Sequence, residues 1–326
     1  MKLKTQTPTV YPIIVPTSSS LKSFNFYLVK TKQALILVDT GVNVDKCWNY
    51  LMNVLEDNGF SLNDIDKIIL THNHNDHIGL VNRIRSHNPI PVYAHRDAML
   101  RLKRDEAFLK KRIAFFQTLY NEMGCGDRGE KQIEKLNKAL KKNKSQIIEG
   151  EILPLVEGDE IDGFRVIETP GHAPDHIVLL HEDSGLLLAG DHLIQHVSSN
   201  ALIEPDKQGE KISSLLQYEH SLKKLKDYSL SIAYPGHGEI VKNPLQLIDK
   251  RIEGIEKKSE KLNNIVTDQS LTAAEIAKIY YQEKYGSEFS LVMSEIIGHL
   301  DRLESYNRVT KEKQDGIFYY YTRETN

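Results

Sequence analysis

The nine residues Thr71 to Gly79, Thr-His-Asn-His-Asn-Asp-His-Ile-Gly, constrain this chain more than any other stretch. Three histidines and a carboxylate fall within six residues, between the apolar run Ile68-Ile69-Leu70 and a helix-like segment opening at Gly79-Leu80-Val81. A strand that ends in such a loop and feeds a helix is a place to hold metal. Imidazole suits zinc, copper, iron and nickel, and a carboxylate can join it or bridge two ions. His72 and His74 are two apart, so on an extended backbone they point to the same side. Asp76 and His77 are adjacent and diverge, which suits a second ion beside the first. The plain alternative is a polar surface loop that happens to be rich in histidine.

The pattern recurs along the chain. Phe24 to Val29 and Ala34 to Val38 read as paired strands, the second ending at Asp39-Thr40-Gly41. Asp39 there either orients a ligand histidine or caps the helix that runs from about Asn43 to Gly59. Phe164 to Glu168 ends at Thr-Pro-Gly-His172, and Leu186 to Gly190 ends at Asp191-His192. Leu230 to Tyr234 ends at Pro-Gly-His237-Gly. With the central loop, four strands deliver His or Asp beside turn residues to one edge of a sheet. His87 and His95 stand alone and read as surface or loop residues.

Residues 96–150 differ in texture. Phe108, Leu109, Ile113, Phe116, Leu119, Tyr120 and Met123 recur at helical steps, followed by a lysine-rich stretch from Glu130 to Lys144. The segment reads as an inserted helical hairpin. As a lid, its apolar face (Phe108, Phe116, Tyr120) covers the metal site; as a plain insertion it is only solvated structure. Long insertions in compact domains are often functional, which favours the lid. From Pro244 the texture changes again. Leu245 to about Asn263 is a charged helix, Ser270 to Glu275 caps a helix reaching Tyr285-Gly286, and Phe289 to Ser305 forms another. Val309-Thr310 and Ile317 to Tyr321 flank a polar turn. Helix, helix and two-stranded wing describe a winged helix-turn-helix. The expected division is therefore 1–244 for the metal-binding domain and 245–326 for the tail.

Composition narrows the partners. A formal net charge of −3 over 326 residues carries no general attraction for nucleic acid or an anionic membrane. Cys47 and Cys125 show no pairing pattern, which fits a reducing cytoplasm. Neither an apolar leader core nor a membrane-length apolar run is visible, so no membrane partner is expected.

On His72-x-His74-x-Asp76-His77, the Thr-Pro-Gly-His172, the Ala-Gly-Asp191-His and the Pro-Gly-His237-Gly, the chain resembles the metallo-β-lactamase-fold hydrolase superfamily from about Val10 to Pro244. Its tail resembles the lactamase-beta-like subgroup, of the hydroxyacylglutathione hydrolase-like branch. The resemblance implies an α+β fold, an αββα sandwich holding two divalent metal ions. His72, His74 and His172 would hold the first, Asp76, His77 and His237 the second, and Asp191 would bridge them. Asp76 and Asp191 would be the catalytic carboxylates, working with a metal-bridging hydroxide. Zinc is the default metal, and the ligand set also accepts iron or manganese. Asp39, His176 and His192 would support the ligands from behind. A true β-lactamase is disfavoured, because Asp76 and Asp191 complete the acidic pattern of the hydroxyacylglutathione hydrolase-like and ribonuclease-like branches.

Three functions compete. The first is hydrolysis of a small-molecule thioester, ester or lactone. The second is an endoribonuclease, supported by Lys103, Arg104, Lys110, Lys111, Arg112, Lys141, Lys142 and Lys144 in the insertion. Against it, the tail's recognition helix carries Glu295, Asp301 and Glu304 with only Arg302 to offset them, whereas a nucleic-acid-reading helix should be basic. The tail then serves packing or a homodimer. The third, a metal-bearing binding protein, leaves a complete ligand set unused.

Overall fold

The computed structural model describes residues 7–142, 146–267 and 269–322. Its first sheet is built from β1 (Thr9–Pro16), β2 (Ser23–Lys30) and β3 (Leu35–Val38), then, after helix α1 (Asp45–Asp57), from β4 (Lys67–Ile69). The one-turn α2 (Asn75–Ile78) and α3 (Val81–Arg85) lead into β5 (Val92–His95). The insertion follows as α4 (Met99–Leu102), α5 (Glu106–Glu122) and α6 (Gly126–Lys142), and β6 (Ile152–Leu155) closes the sheet in the order β1-β2-β3-β4-β5-β6. The second sheet holds β7 (Glu160–Ile161), β8 (Phe164–Glu168), β9 (Ile177–His181) and β10 (Leu186–Gly190). After α7 (Ser214–Leu225), β11 (Ile232–Pro235) pairs parallel to β10.

Period-two alternation assigns the faces. Tyr27, Val29, Ile36, Val38 and Ile69 meet Phe164, Val166, Ile177, Leu179 and Leu188 between the sheets. Their neighbours Phe26, Leu28, Leu35, Leu37 and Ile68 face outward onto Cys47, Leu51 and Leu55 of α1 and onto α3. Cys47, Leu51 and Leu55 are four apart, one stripe of the helix. On the far side, Ile167, Val178, Leu180, Leu187 and Ala189 bury against α7 and against Leu247, Ile248 and Ile255 of α8 (Pro244–Ile265). The result is helix, sheet, sheet, helix, the αββα sandwich. The expected boundary at residue 244 thus falls where α8 begins, and α8 itself supplies part of the second helical layer.

The tail adds β12 (Leu271–Thr272), α9 (Ala273–Tyr281), α10 (Lys284–Ser287), α11 (Phe289–Ser305), β13 (Val309–Gln314) and β14 (Ile317–Thr322). The three strands pair in the order β12-β14-β13. Thr272 and Glu275 form a reciprocal capping box that starts α9. That helix stops at Tyr281, not Tyr285, because Gln282 turns left-handed at φ 49°.

The insertion corrects the lid expectation. Phe116, Leu119, Tyr120, Met123 and Ile133 are buried in one core with Ala273, Ile276, Phe289, Met293 and Ile296 of the tail. Phe116 stacks on Tyr120, and Tyr120 meets Phe289 edge-on. Phe108 is buried under the Arg101 guanidinium. None of these three aromatics lines the cavity beside the histidine cluster. Helical periodicity announced a buried face, and Phe116 and Tyr120 pack it against the tail. Lys144 lies outside the described residues. Among the described residues, no helix is long and apolar enough to cross a membrane.

Candidate metal centre

Strand ends and the loops after them bring the ligand candidates together. His74 ends the extended loop as N-cap of α2, so His72 and His74 stay on one side while His77 turns with the helix. His72 Nε2 and His172 Nε2 each lie 3.0 Å from His74 Nδ1. The Nε2 lone pairs of His72 and His172 both face His74 Nδ1, which in a neutral ring can offer them at most one proton. Tetrahedral zinc–nitrogen bonds would separate the three nitrogens by roughly 3.3 Å. Asp76, His77 and His237 form a second group of close ligand atoms, and Asp191 closes a third with His72 and His77. The Asp191 carboxylate reaches in both directions. Its Oδ2 is 3.5 Å from His172 Nε2 and 3.2 Å from His237 Nε2, and its Oδ1 is 3.3 Å from His77 Nε2. His237 Nε2 is also 3.5 Å from Asp76 Oδ2.

The opposite ring nitrogens are fixed from behind, as ligand histidines require. His77 Nδ1 donates to Asp39 Oδ2 at 2.8 Å, and His237 Nδ1 to the Ser23 carbonyl at 2.8 Å. His172 Nδ1 donates to the Asn200 carbonyl at 2.9 Å. Thr71 completes a relay: its hydroxyl donates to Asp39 Oδ2 at 2.8 Å and accepts from His72 Nδ1 at 3.1 Å. In the neutral rings these bonds leave Nε2 of His72, His77, His172 and His237 without a proton, and on His77 and His237 a cation would displace the second proton that Asp191 favours there. Buried His77 Nε2, His237 Nε2 and Asp191 Oδ1 have no well-formed hydrogen bond among the described residues, which is the demand a cation would meet. The donor set therefore fits divalent metal.

The electrostatics divide the cluster, keeping His72, His74 and His172 neutral and favouring a second proton on His77 and His237. Burial, then neighbouring His77 and His74, hold His72 well below its ordinary range, and burial with His74 lowers His172 to about 4. Burial opposes protonation of His77, yet Asp191 and Asp39 hold that ring well above its ordinary range. Burial likewise opposes ionisation of Asp191, but His77 and His237 keep it a carboxylate.

The structure separates the supporting candidates. Asp39 sits on His77 and Thr71, and the cap alternative fails because the N-cap of α1 is Val44, with no side-chain cap hydrogen bond. His176 accepts from the Asp191 backbone N–H at 3.0 Å and meets Thr169 Oγ1 at 2.8 Å, so it places the Asp191 main chain. His192 is buried with its ring edge-on to Tyr218 and belongs to none of the ligand groups found among the described residues. His95, read as an isolated histidine, pairs with Glu168 at 2.8 Å. Three participants escaped the sequence reading: Thr71, Ser23 and Asn200. Two of them act through backbone carbonyls, which leave no side-chain signature; Thr71 was visible only as the residue before the first histidine.

Two glycines make the convergence possible. A Cβ on Gly236 would sit 2.3 Å from Asp191 Oδ1 and 2.6 Å from His77 Cε1. One on Gly190, whose φ is +47°, would sit 2.8 Å from His176 Nε2 and from Thr71 Oγ1.

A four-layer αββα sandwich that gathers histidines and carboxylates at its strand ends defines a metal-dependent hydrolase. The chain belongs to the metallo-β-lactamase superfamily, whose family model matches residues 23–237. Over 317 residues it is 32% identical to the probable metallo-hydrolase YqjP of Bacillus subtilis, covering 97% of this chain and 98% of that one. It is 28% identical to the thioesterase pkgB of Emericella nidulans over 73% of this chain and 52% of the relative. The crystal structure of the metallo-beta-lactamase family protein TTHA1429 from Thermus thermophilus superposes with a TM-score of 0.77 at 25% identity, covering 96% of this chain and 98% of that one. The match across almost the whole of YqjP and TTHA1429 includes the tail as well as the sandwich.

Proposed function

We propose that this protein is a binuclear metal-dependent hydrolase of small-molecule thioesters, esters or lactones. The observation that carries the reading is the Asp191 carboxylate, which stands 3.5 Å from His172 in one ligand group and 3.2 Å from His237 in the other. In this reading His72, His74 and His172 hold one ion, Asp76, His77 and His237 the other, and Asp191 joins them, with zinc as the default metal. When bound, such a pair supplies a water nucleophile ionised near neutral pH and polarises the attacked carbonyl. The chain's own work is placement. Asp39 and Thr71 set the tautomers of His77 and His72, the Ser23 carbonyl sets His237, and His176 holds the Asp191 backbone. The relative named a thioesterase supports the thioester class.

The ribonuclease alternative draws less support. Arg112 of the basic insertion turns inward onto Glu204, and Lys103 onto the carbonyls of Ile148 and Gly150. The tail helix α11 is buried along most of its length. Its charges are engaged within the chain: Arg302 with Glu219 and Glu256, Asp301 with Lys211, and Glu295 with Lys258. A helix so engaged has little to offer a nucleic-acid groove, so the tail is read as a packing module and the partner as a small molecule.

The test is a panel of acyl thioesters, an acyl lactone, a bis-aryl phosphodiester and single-stranded RNA, with metal content measured on the same sample. Thioester or lactone turnover that vanishes in His72→Ala is expected. RNA cleavage with weak ester turnover would overturn the reading. Separately, Asp191→Ala should bind well under two ions per chain; retention of both tightly would defeat the bridging role.

A further inference from the structure

Beside His74 lies a cavity of about 200 Å3, walled on the insertion side by the polar flank of α5 and the turn before it. Arg101, Arg104 and Arg112 all reach it, with Glu204 as the facing carboxylate. Arg112 grips Glu204 through two hydrogen bonds, and Arg101 lies 3.4 Å from the same carboxylate and 3.1 Å from the Pro205 carbonyl. Glu204 is thereby used up. Arg104 has only neutral partners, Asn75 Oδ1 and Gln146 Oε1, each at 2.8 Å. Among the described residues no carboxylate lies within ion-pair distance of it, and its buried Nε has no partner at all. Burial, and then the like charge of Arg112, press its guanidinium below the ordinary range.

Its backbone is unusual as well. Arg104 is left-handed at φ 51°, between the end of α4 and the Asp105 cap of α5. Glycine would occupy that conformation at less cost, so a long cationic side chain held there points to a use for the side chain.

We propose that this cavity binds an anionic group carried by one arm of the substrate, with Arg104 as the specificity-determining residue. The inference rests on the thioester reading and deepens it: the substrate class becomes a short, carboxylate-bearing thioester. Size and lining favour that over RNA. The volume equals about six or seven waters, enough for a carboxylate on a short chain, and Leu109, Leu202 and Pro174 supply apolar wall for the chain. Apart from the ring of His74, no aromatic side chain among the described residues lines it to stack a base.

The experiment uses the metal-loaded protein and two matched substrate pairs. One pair puts the charge on the acyl arm (S-succinyl against S-pentanoyl N-acetylcysteamine). The other puts it on the thiol arm (S-acetyl-3-mercaptopropionate against S-acetyl-butanethiol). A charge-assisted hydrogen bond should favour the anionic member of one pair by at least about tenfold in kcat/KM. Arg104→Met should bring that ratio close to one, and Arg104→Lys should keep part of it. The ratio is read within each protein, so a general loss of activity does not mimic the result. Succinate should also raise the melting temperature of the metal-loaded wild type and not of Arg104→Met, which tests the cavity without turnover. Thioester hydrolysis with no charge preference in either pair, or succinate binding that ignores Arg104, would overturn the inference. Arg104-dependent succinate binding with no thioester turnover would keep the cavity's role and remove the thioester reading. RNA cleavage that falls in Arg104→Met, with both pairs inert, would make the anion a phosphodiester and overturn the small-molecule form.

Discussion

Replacing Asp39 with asparagine changes one atom and disturbs three bonds. Asp39 Oδ1 accepts from the Thr71 backbone N–H, while Oδ2 accepts from the Thr71 hydroxyl and from His77 Nδ1, each at 2.8 Å. Asparagine keeps one acceptor oxygen and the left-handed backbone, φ 59°, which it tolerates well. If its oxygen serves the Thr71 amide, its NH2 faces His77 Nδ1. The ring must then surrender the Nδ1 proton and carry it on Nε2, the atom that faces Asp191. If the oxygen serves His77, the NH2 opposes the Thr71 amide instead. Either arrangement loses a buried charge-assisted hydrogen bond worth about 1.5–3 kcal/mol. At 1.36 kcal/mol per tenfold, affinity for an ion on the His77 side should fall about 10- to 100-fold. Titration against a competing chelator should show the ion on the His77 side weakened more than the ion proposed for His72, His74 and His172, which feels the change only through the Thr71 hydroxyl on His72 Nδ1. Asp39→Asn with both affinities unchanged would refute the argument that Asp39 sets the His77 tautomer.

Gly236→Ala should lower metal content and activity together with the far-ultraviolet circular dichroism preserved, since its methyl would meet Asp191 Oδ1 and His77 before any core residue; normal metal binding would show that the loop yields. Glu219→Ala strips the buried Arg302, each side chain 5% exposed, of its bidentate partner. Glu256 still holds Arg302, so the loss should lie near the low end for a broken buried pair, about 3 kcal/mol. Over a chain of 326 residues that corresponds to a melting temperature lower by roughly 4–5 °C, and a calorimetric shift under about 1 °C would contradict it. His299, buried against Ser259, has its pKa lowered to about 3 by burial and then by Lys258 and Arg302. A depressed folded pKa means the unfolded chain takes up protons first. His299 therefore favours folding above about pH 6.5 and loses that contribution as pH falls toward 3. His299→Asn should flatten the fall in melting temperature between about pH 7 and 5, measured against wild type in the same buffers.

Much of the layer structure was legible because strand periodicity speaks directly about faces. Phe26 and Leu28 against Tyr27 and Val29 could be sorted with no knowledge of the partner layer. The ligand candidates were legible for a related reason: histidine or aspartate after an apolar strand and beside a turn is a local pattern. What stayed hidden depended on partners distant in sequence. The stripe through Phe116 and Tyr120 marked a buried face, but nothing local chose between the metal cleft and the tail more than 150 residues on. The basic insertion lent support to the ribonuclease alternative because Glu204, 92 residues from Arg112, could not be seen to pair with that arginine. The acidic helix α11 likewise hid its cations, Lys211 and Lys258, on other elements.

The shared core of insertion and tail sets how this protein can be divided. The α5 helix presents Phe116 and Tyr120 to α9 and α11, while Arg112, on the same helix, lines the cavity beside His74. The Met123 carbonyl accepts from the Ala274 amide at 3.1 Å, and Lys313 reaches Glu122 at 2.8 Å. A chain cut after residue 244 would lose α8 from the second helical layer and leave those aromatics facing water. The ligand-bearing half is therefore no portable catalytic unit. Swapping tails among relatives would change what α5 packs against, and with it the placement of Leu109 and Arg112 in the cavity wall beside His74, without touching a candidate ligand.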